Sequence, residues 1–250
     1  VNKEGSAASI VPPGSTVAGQ TIGEWTGDWW EWAAGQSVPN DAFTDTTGAN
    51  ADVNQSGPVW FVAGTFGGPI PPPGRSFQVP SDRYLLFPMV NVASAAAEPQ
   101  FGFDPDDFDD PATLAAVRAD ATGLADMIDS LLFEIDGVPA TDLFRHREVS
   151  GFFSMEFAPD NPIGVDPGPS GPAFADGYWV MLEPLPTGTT ITTRYGGGAS
   201  AFEFSTEVTA TISSVPEPAA AALLGVGLVA LGVMRRRIAS ASPKWASREP

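Results

Sequence analysis

Five aspartates stand close together in the segment DPDDFDDP: Asp104, Asp106, Asp107, Asp109 and Asp110. Carboxylate oxygens are hard donors, and Ca²⁺ takes about six to eight of them. Asp104, Asp106, Asp107 and Asp109 are therefore the residues expected to hold Ca²⁺, the one cofactor the sequence suggests. The segment lacks the EF-hand pattern, so a solvated acidic loop capping the next helix is the competing reading. A second constellation is aromatic. TIGEWTGDWWEWAAG puts Trp25, Trp29 and Trp32 at i, i+4 and i+7, on one helical face. Such a face could stack on sugar rings as a ligand-binding platform, or pack into a core; Trp30 points elsewhere. His146 is the only histidine, flanked by Arg145 and Arg147, and there is no cysteine. Multi-His and Cys-ligated zinc sites are therefore excluded. No G-x-S-x-G, Walker A or H-E-x-x-H pattern occurs. Glycoside hydrolysis needs two carboxylates about 5–9.5 Å apart, and thirty acids give no means of choosing a pair. No catalytic residue is assigned.

The remaining constellation is SSVPEPAAAALLGVGLVALGVMRRR, Ser213 to Arg237. The apolar run Ala219–Met234 would be about 24 Å long as a helix. A bilayer core is about 30 Å, a gap that snorkelling arginines and local thinning can cover. Arg235, Arg236 and Arg237 follow at once and act as a stop, so the positive-inside rule places them in the cytoplasm and the preceding domain outside. GVGLVA (Gly225 to Ala230) formally matches a dinucleotide fingerprint, but no βαβ unit can follow it.

Val215–Pro218, then the apolar helix, then the arginines, resemble the PEP-CTERM sorting domain. The resemblance covers about a tenth of the chain. It implies an exported protein of a Gram-negative bacterium, processed by an exosortase, a membrane-embedded transpeptidase-like protease. It implies Pro216, Glu217 and Pro218 as the recognition residues, and an exopolysaccharide setting. Two prolines keep the triplet extended, a conformation that a protease can grip.

Composition agrees with an extracellular role. Formal net charge is −18. Ala219 onward holds five of the twelve Lys/Arg and one of the thirty acids, leaving seven against twenty-nine before it. Nucleic acid would be repelled, because its binding rests on cations meeting phosphates. The chain starts at Val1 with no apolar leader, so a missing start or a removed signal peptide is expected.

The elements that must carry these residues are mostly strands. Thr21 and Glu24 form a capping-box pattern for a helix over about 22–34. Asp110 and Pro111 suit the N-cap and first position of a second helix, with an apolar stripe of Leu114, Val117, Ala121, Leu124 and Ile128. PVWFVAGTF, RYLLFPMVNVAS and YWVMLEPL read as strands, the first buried on both faces and the last buried. GGPIPPPG reads as a tight loop, and APDNPIGVDPGPSGPAFADG as a long one. Asp136-Gly137 marks a hairpin. TTITTRY-GGG-ASAFEFSTEVTATI reads as another, its second strand alternating from Phe202 to Ile212. The expected fold is mainly β, a β-sandwich-like domain with one or two inserted helices, plus a C-terminal transmembrane helix.

The expected layout is a disordered lead-in over 1–20, a β-rich extracytoplasmic domain over 21–214, the sorting signal with its membrane helix over 215–237, and a cytoplasmic tail over 238–250. Three functions compete. One is a surface or matrix protein, sorted by exosortase through an inner-membrane intermediate and structural or adhesive in exopolysaccharide. The others are a displayed carbohydrate-binding module or glycan hydrolase, and an unprocessed single-pass membrane protein.

Overall fold

The computed structural model describes residues 8–96 and 110–217. Strands β1 (Thr16–Val17) and β2 (Gln20–Thr21) lead into α1 (Ile22–Ala34), then β3 (Val59–Phe61), β4 (Gly68–Pro80) and β5 (Tyr84–Ala95). Helix α2 (Pro111–Ala125) precedes β6 (Ser130–Ile135), β7 (Val138–Pro139), β8 (Arg147–Val149) and β9 (Phe153–Phe157). Three longer strands follow: β10 (Gly168–Leu182), β11 (Thr190–Ala199) and β12 (Phe204–Val215). One sheet has the order β3-β5-β10-β8, with β9 also paired to β10; the other has the order β4-β12-β11-β6-β7.

The two sheets share one core. Leu85, Phe87, Met89, Val180 and Leu182 of the first meet Phe77, Phe133, Ile191, Tyr195, Val208 and Ile212 of the second. Successive strand residues point to opposite faces. Leu86, Trp179 and Met181 therefore emerge on the far side of the first sheet, where α1 covers them with Trp25, Trp29 and Trp32. Strands β5 and β10 are thus buried on both faces along much of their length. This is why they read as apolar runs rather than alternations. Strand β12 has a wet outer face, and its inner residues Thr206, Val208, Ala210, Ile212 and Ser214 are buried.

Both helices start as their sequences predict. Thr21 Oγ1 accepts from the Glu24 N–H at 3.2 Å, and Glu24 Oε2 accepts from the Thr21 N–H at 2.7 Å. The Thr21 backbone N–H is the main reason that the Glu24 carboxyl lies below its ordinary pKa. Asp110 caps α2, accepting from the Thr113 N–H at 2.9 Å, and Pro111 occupies the first turn. The buried stripe of α2 is Thr113, Val117, Ala121 and Ala125. Leu114 and Leu124 sit at its margin, so the helix is rotated from the expected stripe toward its small residues, which allow close approach to the sheet.

Four expectations are corrected. Residues 8–20 are no loose lead-in: Ile10 bridges Leu182, the Val11 N–H donates to Met181 O at 2.8 Å, and Val11 and Val17 are buried with α1. These two apolar residues cover the end of the first sheet, and the polar composition around them hid this. The prolines of GGPIPPPG belong to β4, which runs parallel to β12 at the edge of its sheet. An edge strand tolerates proline because one side of its backbone needs no ladder partner. The second half of the long loop is the start of β10, buried from Ser170 onward.

The last correction is the glycine triplet. Gly196–Gly198 is not the turn; it lies inside β11 between β6 and β12. A Cβ on Gly196 would lie 2.0 Å from Thr206 O, and one on Gly197 2.2 Å from Ser130 O. Both have φ near 155°. The triplet is therefore a place where neighbouring backbones come too close for side chains. The reversal falls at Ser200–Phe202 and the left-handed Glu203.

Residues 35–58 contain neither helix nor strand, and one buried cation fastens them. Arg75 of β4 is 2% exposed. Its Nε donates to Asp45 O at 2.9 Å, and one terminal nitrogen donates to Phe43 O at 2.9 Å and Gly64 O at 3.1 Å. The other donates to Ala63 O, which also accepts from the Tyr195 hydroxyl at 2.8 Å. Among the described residues no carboxylate pairs with Arg75. Backbone carbonyls, with the Tyr195 hydroxyl beside them, solvate its charge. Burial pushes the Tyr195 hydroxyl up to about 12, so it stays a neutral donor.

Candidate functional site

The sorting triplet starts where the fold stops. Strand β12 runs to Val215, because β4 and the 186–189 loop still supply partners there. The Ser81 N–H donates to Val215 O at 2.8 Å, the Ser214 N–H to Thr189 O at 2.8 Å, and the Gly188 N–H to Ser214 O at 3.0 Å. The Ser214 hydroxyl also donates to Pro186 O. Pro216 follows directly. It has no N–H for a further ladder bond, and its ring biases Val215 toward extended backbone. The strand thus delivers an extended chain directly to Pro216 and Glu217. Ser81, Thr189 and Ser214, which fix this exit, were not picked out from the sequence. Their signal is weak, since polar residues after a strand look like any turn.

Pro218, the run Ala219–Met234 and Arg235, Arg236 and Arg237 lie outside the described residues, as do Asp104, Asp106, Asp107 and Asp109. Among the described residues no helix is long and apolar enough to cross a membrane. Among them, too, no group of His, Cys, Asp or Glu is placed to hold a metal ion.

Trp25, Trp29 and Trp32 do share a face, as their spacing predicts, but that face is packed inward. They are 7%, 3% and 7% exposed. Each indole N–H donates to a backbone carbonyl at 2.9 Å: Trp25 to Val17, Trp29 to Val62 and Trp32 to Val53. Trp29 meets Trp179 and Phe43 edge-on, at 5.2 and 5.4 Å between ring centroids. Stacking on a sugar needs an open ring face, and these rings are packed against Phe43, Phe61 and Trp179. The three tryptophans build core rather than a platform, and Trp29 and Trp32 also hold the 35–58 segment through Phe43 and Val53.

His146 is half-buried at the entry to β8. Burial, aided by the charge of Arg145, keeps its pKa below the ordinary value, so it is neutral at pH 7. The neighbouring Arg147 serves the fold. It grips the buried Asp176 carboxylate through two nitrogens at 2.8 and 2.9 Å and reaches Asp126 at 2.7 Å. Glu148 is also buried. Burial raises its pKa, and its Oε1 accepts from the Gly14 N–H at 2.6 Å, tying down the N-terminal segment.

Comparison with protein families matches residues 214–237 to the PEP-CTERM protein-sorting motif. The match begins at Ser214, the next-to-last residue of β12, and covers the triplet, the apolar run and the three arginines. No curated protein and no solved structure matches the chain. The chain thus carries the sorting motif of exported proteins processed by exosortase, a membrane enzyme, and destined for the cell surface or the extracellular space. Apart from Ser214 and Val215 of β12, every described helix and strand precedes that motif.

Proposed function

We propose that the β domain is extracellular cargo, structural or adhesive within an exopolysaccharide matrix, and that its C-terminal segment is a temporary anchor. In this reading Ala219–Met234 holds the chain in the inner membrane with Arg235–Arg237 inside. The exosortase then grips Pro216–Pro218 and releases the domain or transfers it. The observation that carries the proposal is the position of the sorting motif, which starts as the last strand ends. A protease acting there would leave every strand of the domain in the product. The acidic surplus before Ala219 suits a protein that must stay dissolved outside the cell.

The test is replacement of Pro216, Glu217 and Pro218 by alanine in a host with an exosortase. The variant should remain full-length and membrane-associated while the parent chain reaches the surface or medium. Identical distribution of the two chains would favour an unprocessed single-pass protein and overturn the proposal.

A further inference from the structure

The end of β12 is fastened along both of its edges. On one side lies β4, with Gln78, Val79 and Pro80 paired to Ser213, Ser214 and Val215. On the other side Ser213 pairs with Thr190 at the start of β11. There the 186–189 loop takes the next residue: the Ser214 N–H donates to Thr189 O at 2.8 Å, and the Gly188 N–H donates to Ser214 O at 3.0 Å. Ser214 is 3% exposed. Its hydroxyl donates to Pro186 O and accepts a share of the Thr189 N–H at 3.2 Å.

The two flanking elements are also tied to each other. The Thr187 hydroxyl donates to the Ser81 hydroxyl at 2.8 Å. Ser81 in turn donates its N–H to Val215 O at 2.8 Å. A loop from one edge and the end of β4 from the other thus close on the last two residues of the strand.

This closure stands directly in front of Pro216, and the matched motif already includes Ser214 and Val215. Extended peptides are commonly gripped as an added strand, through their own backbone N–H and C=O groups. At Ser213–Val215 neither edge is open for that. A folded segment is cut from its open form, at a rate that follows the population of that form when opening and closing are fast. Local opening needs far less free energy than global unfolding.

We infer that the end of β12 is a latch on processing. The exosortase cleaves chains in which Ser214 and Val215 have left β4 and the 186–189 loop, and Ser214 is the positioning residue that sets how often they do. The latch takes no part in the covalent step. In that step one peptide C–N bond breaks, water or an acceptor amine takes the acyl carbon, and the freed amine takes a proton. The inference rests on the proposed processing at Pro216–Pro218 and adds what controls its rate.

The test follows the full chain by pulse–chase in a host with an exosortase. Ser214→Ala removes the hydroxyl and keeps the triplet. It should speed processing about three- to tenfold, as the loss of one net hydrogen bond raises the open population. Thr187→Val, at an exposed site, unties the flanking elements and should speed it about two- to fivefold. Val117→Ala opens a cavity under α2, in a separate core cluster, and should leave the rate at the parent's. Pro80→Cys combined with Val215→Cys puts two thiols on paired neighbours of the ladder, about 4.8 Å apart and within disulfide reach. The chain has no other cysteine. The oxidised pair should block processing and dithiothreitol should restore it, with each single-Cys variant as the control. In the purified full chain, amide exchange at Ser81, Gly188 and Ser214 should quicken in Ser214→Ala while Val180 and Leu182 stay protected.

The inference is overturned if the oxidised pair is processed as fast as the parent, or if Val117→Ala speeds processing as much as Ser214→Ala does. It is also overturned if Ser81, Gly188 and Ser214 exchange in the parent as freely as in an unfolded chain. In these cases the parent is still processed, and the proposed function stands. If neither the parent, nor Ser214→Ala, nor the reduced pair is ever processed, the proposed function fails and the latch fails with it.

Discussion

Arg75 gives the sharpest test of how the fold is held. Replacing it with Met keeps an unbranched side chain of similar length and removes the donors. Ala63 O keeps the Tyr195 hydroxyl, while the carbonyls of Phe43, Asp45 and Gly64 lose their guanidinium partner. A buried unsatisfied carbonyl costs about 1–3 kcal/mol. Three of them at the low end give about 3 kcal/mol. The low end is appropriate because removing a buried charge also removes its desolvation penalty. With a urea m-value near 2.5 kcal/mol per molar, the midpoint should fall by about 1.2 M. Arg75→Lys should recover only part of this, because an ammonium cannot reach carbonyls spread around a planar fork. Urea titrations of parent, Met and Lys chains, read by tryptophan fluorescence, measure all three. A Met variant within about 0.2 M of the parent would refute the reasoning. It would mean that the carbonyls find other donors and that the 35–58 segment is held without Arg75.

Two further outcomes follow from the packing around α1 and the N-terminal segment. Trp29→Ala removes a 3% exposed indole between α1 and the first sheet and should cost about 3–5 kcal/mol by thermal or urea unfolding; a loss under about 1 kcal/mol would mean that the cluster does not support the fold. Glu148→Gln should stabilise the chain at pH 7, and the gain should shrink on acidification. The sign follows from the raised folded pKa of Glu148: the folded state holds the proton more tightly, so stability falls as pH rises through the unfolded and then the folded pKa. The Gln side chain keeps an acceptor for the Gly14 N–H. His146, whose folded pKa is lowered, works in the opposite direction, destabilising the fold as pH drops. Comparing variant with parent at each pH cancels it, and a gap that widens toward acid pH would contradict the assignment.

The sequence was most legible where local rules act alone. Capping residues fixed the start of both helices, Asp136-Gly137 marked the β6–β7 turn, and doubly buried strands showed as apolar runs. It was least legible where a neighbour decides the outcome. The prolines of β4 look like a loop until an edge position excuses their missing N–H groups. Gly196–Gly198 looks like a turn until β6 and β12 are seen pressing on both sides. The tryptophan stripe was right as geometry, but spacing cannot say whether a face meets solvent or another sheet. Trp30, off the stripe, lines a cavity with Phe66 and Asn91, 36 and 61 positions along the chain, and no local pattern connects them. The sorting motif could be read directly because its function resides in a short linear order of residue types.

The proposed function makes this chain cargo released from its own C-terminal signal. Intact-mass spectrometry of the protein recovered from the surface or medium of a host with an exosortase tests it most directly. The expected product is a mature chain that keeps β12 and ends within or next to Pro216–Pro218, without Arg235–Arg237. A secreted chain that still carries the three arginines would contradict it.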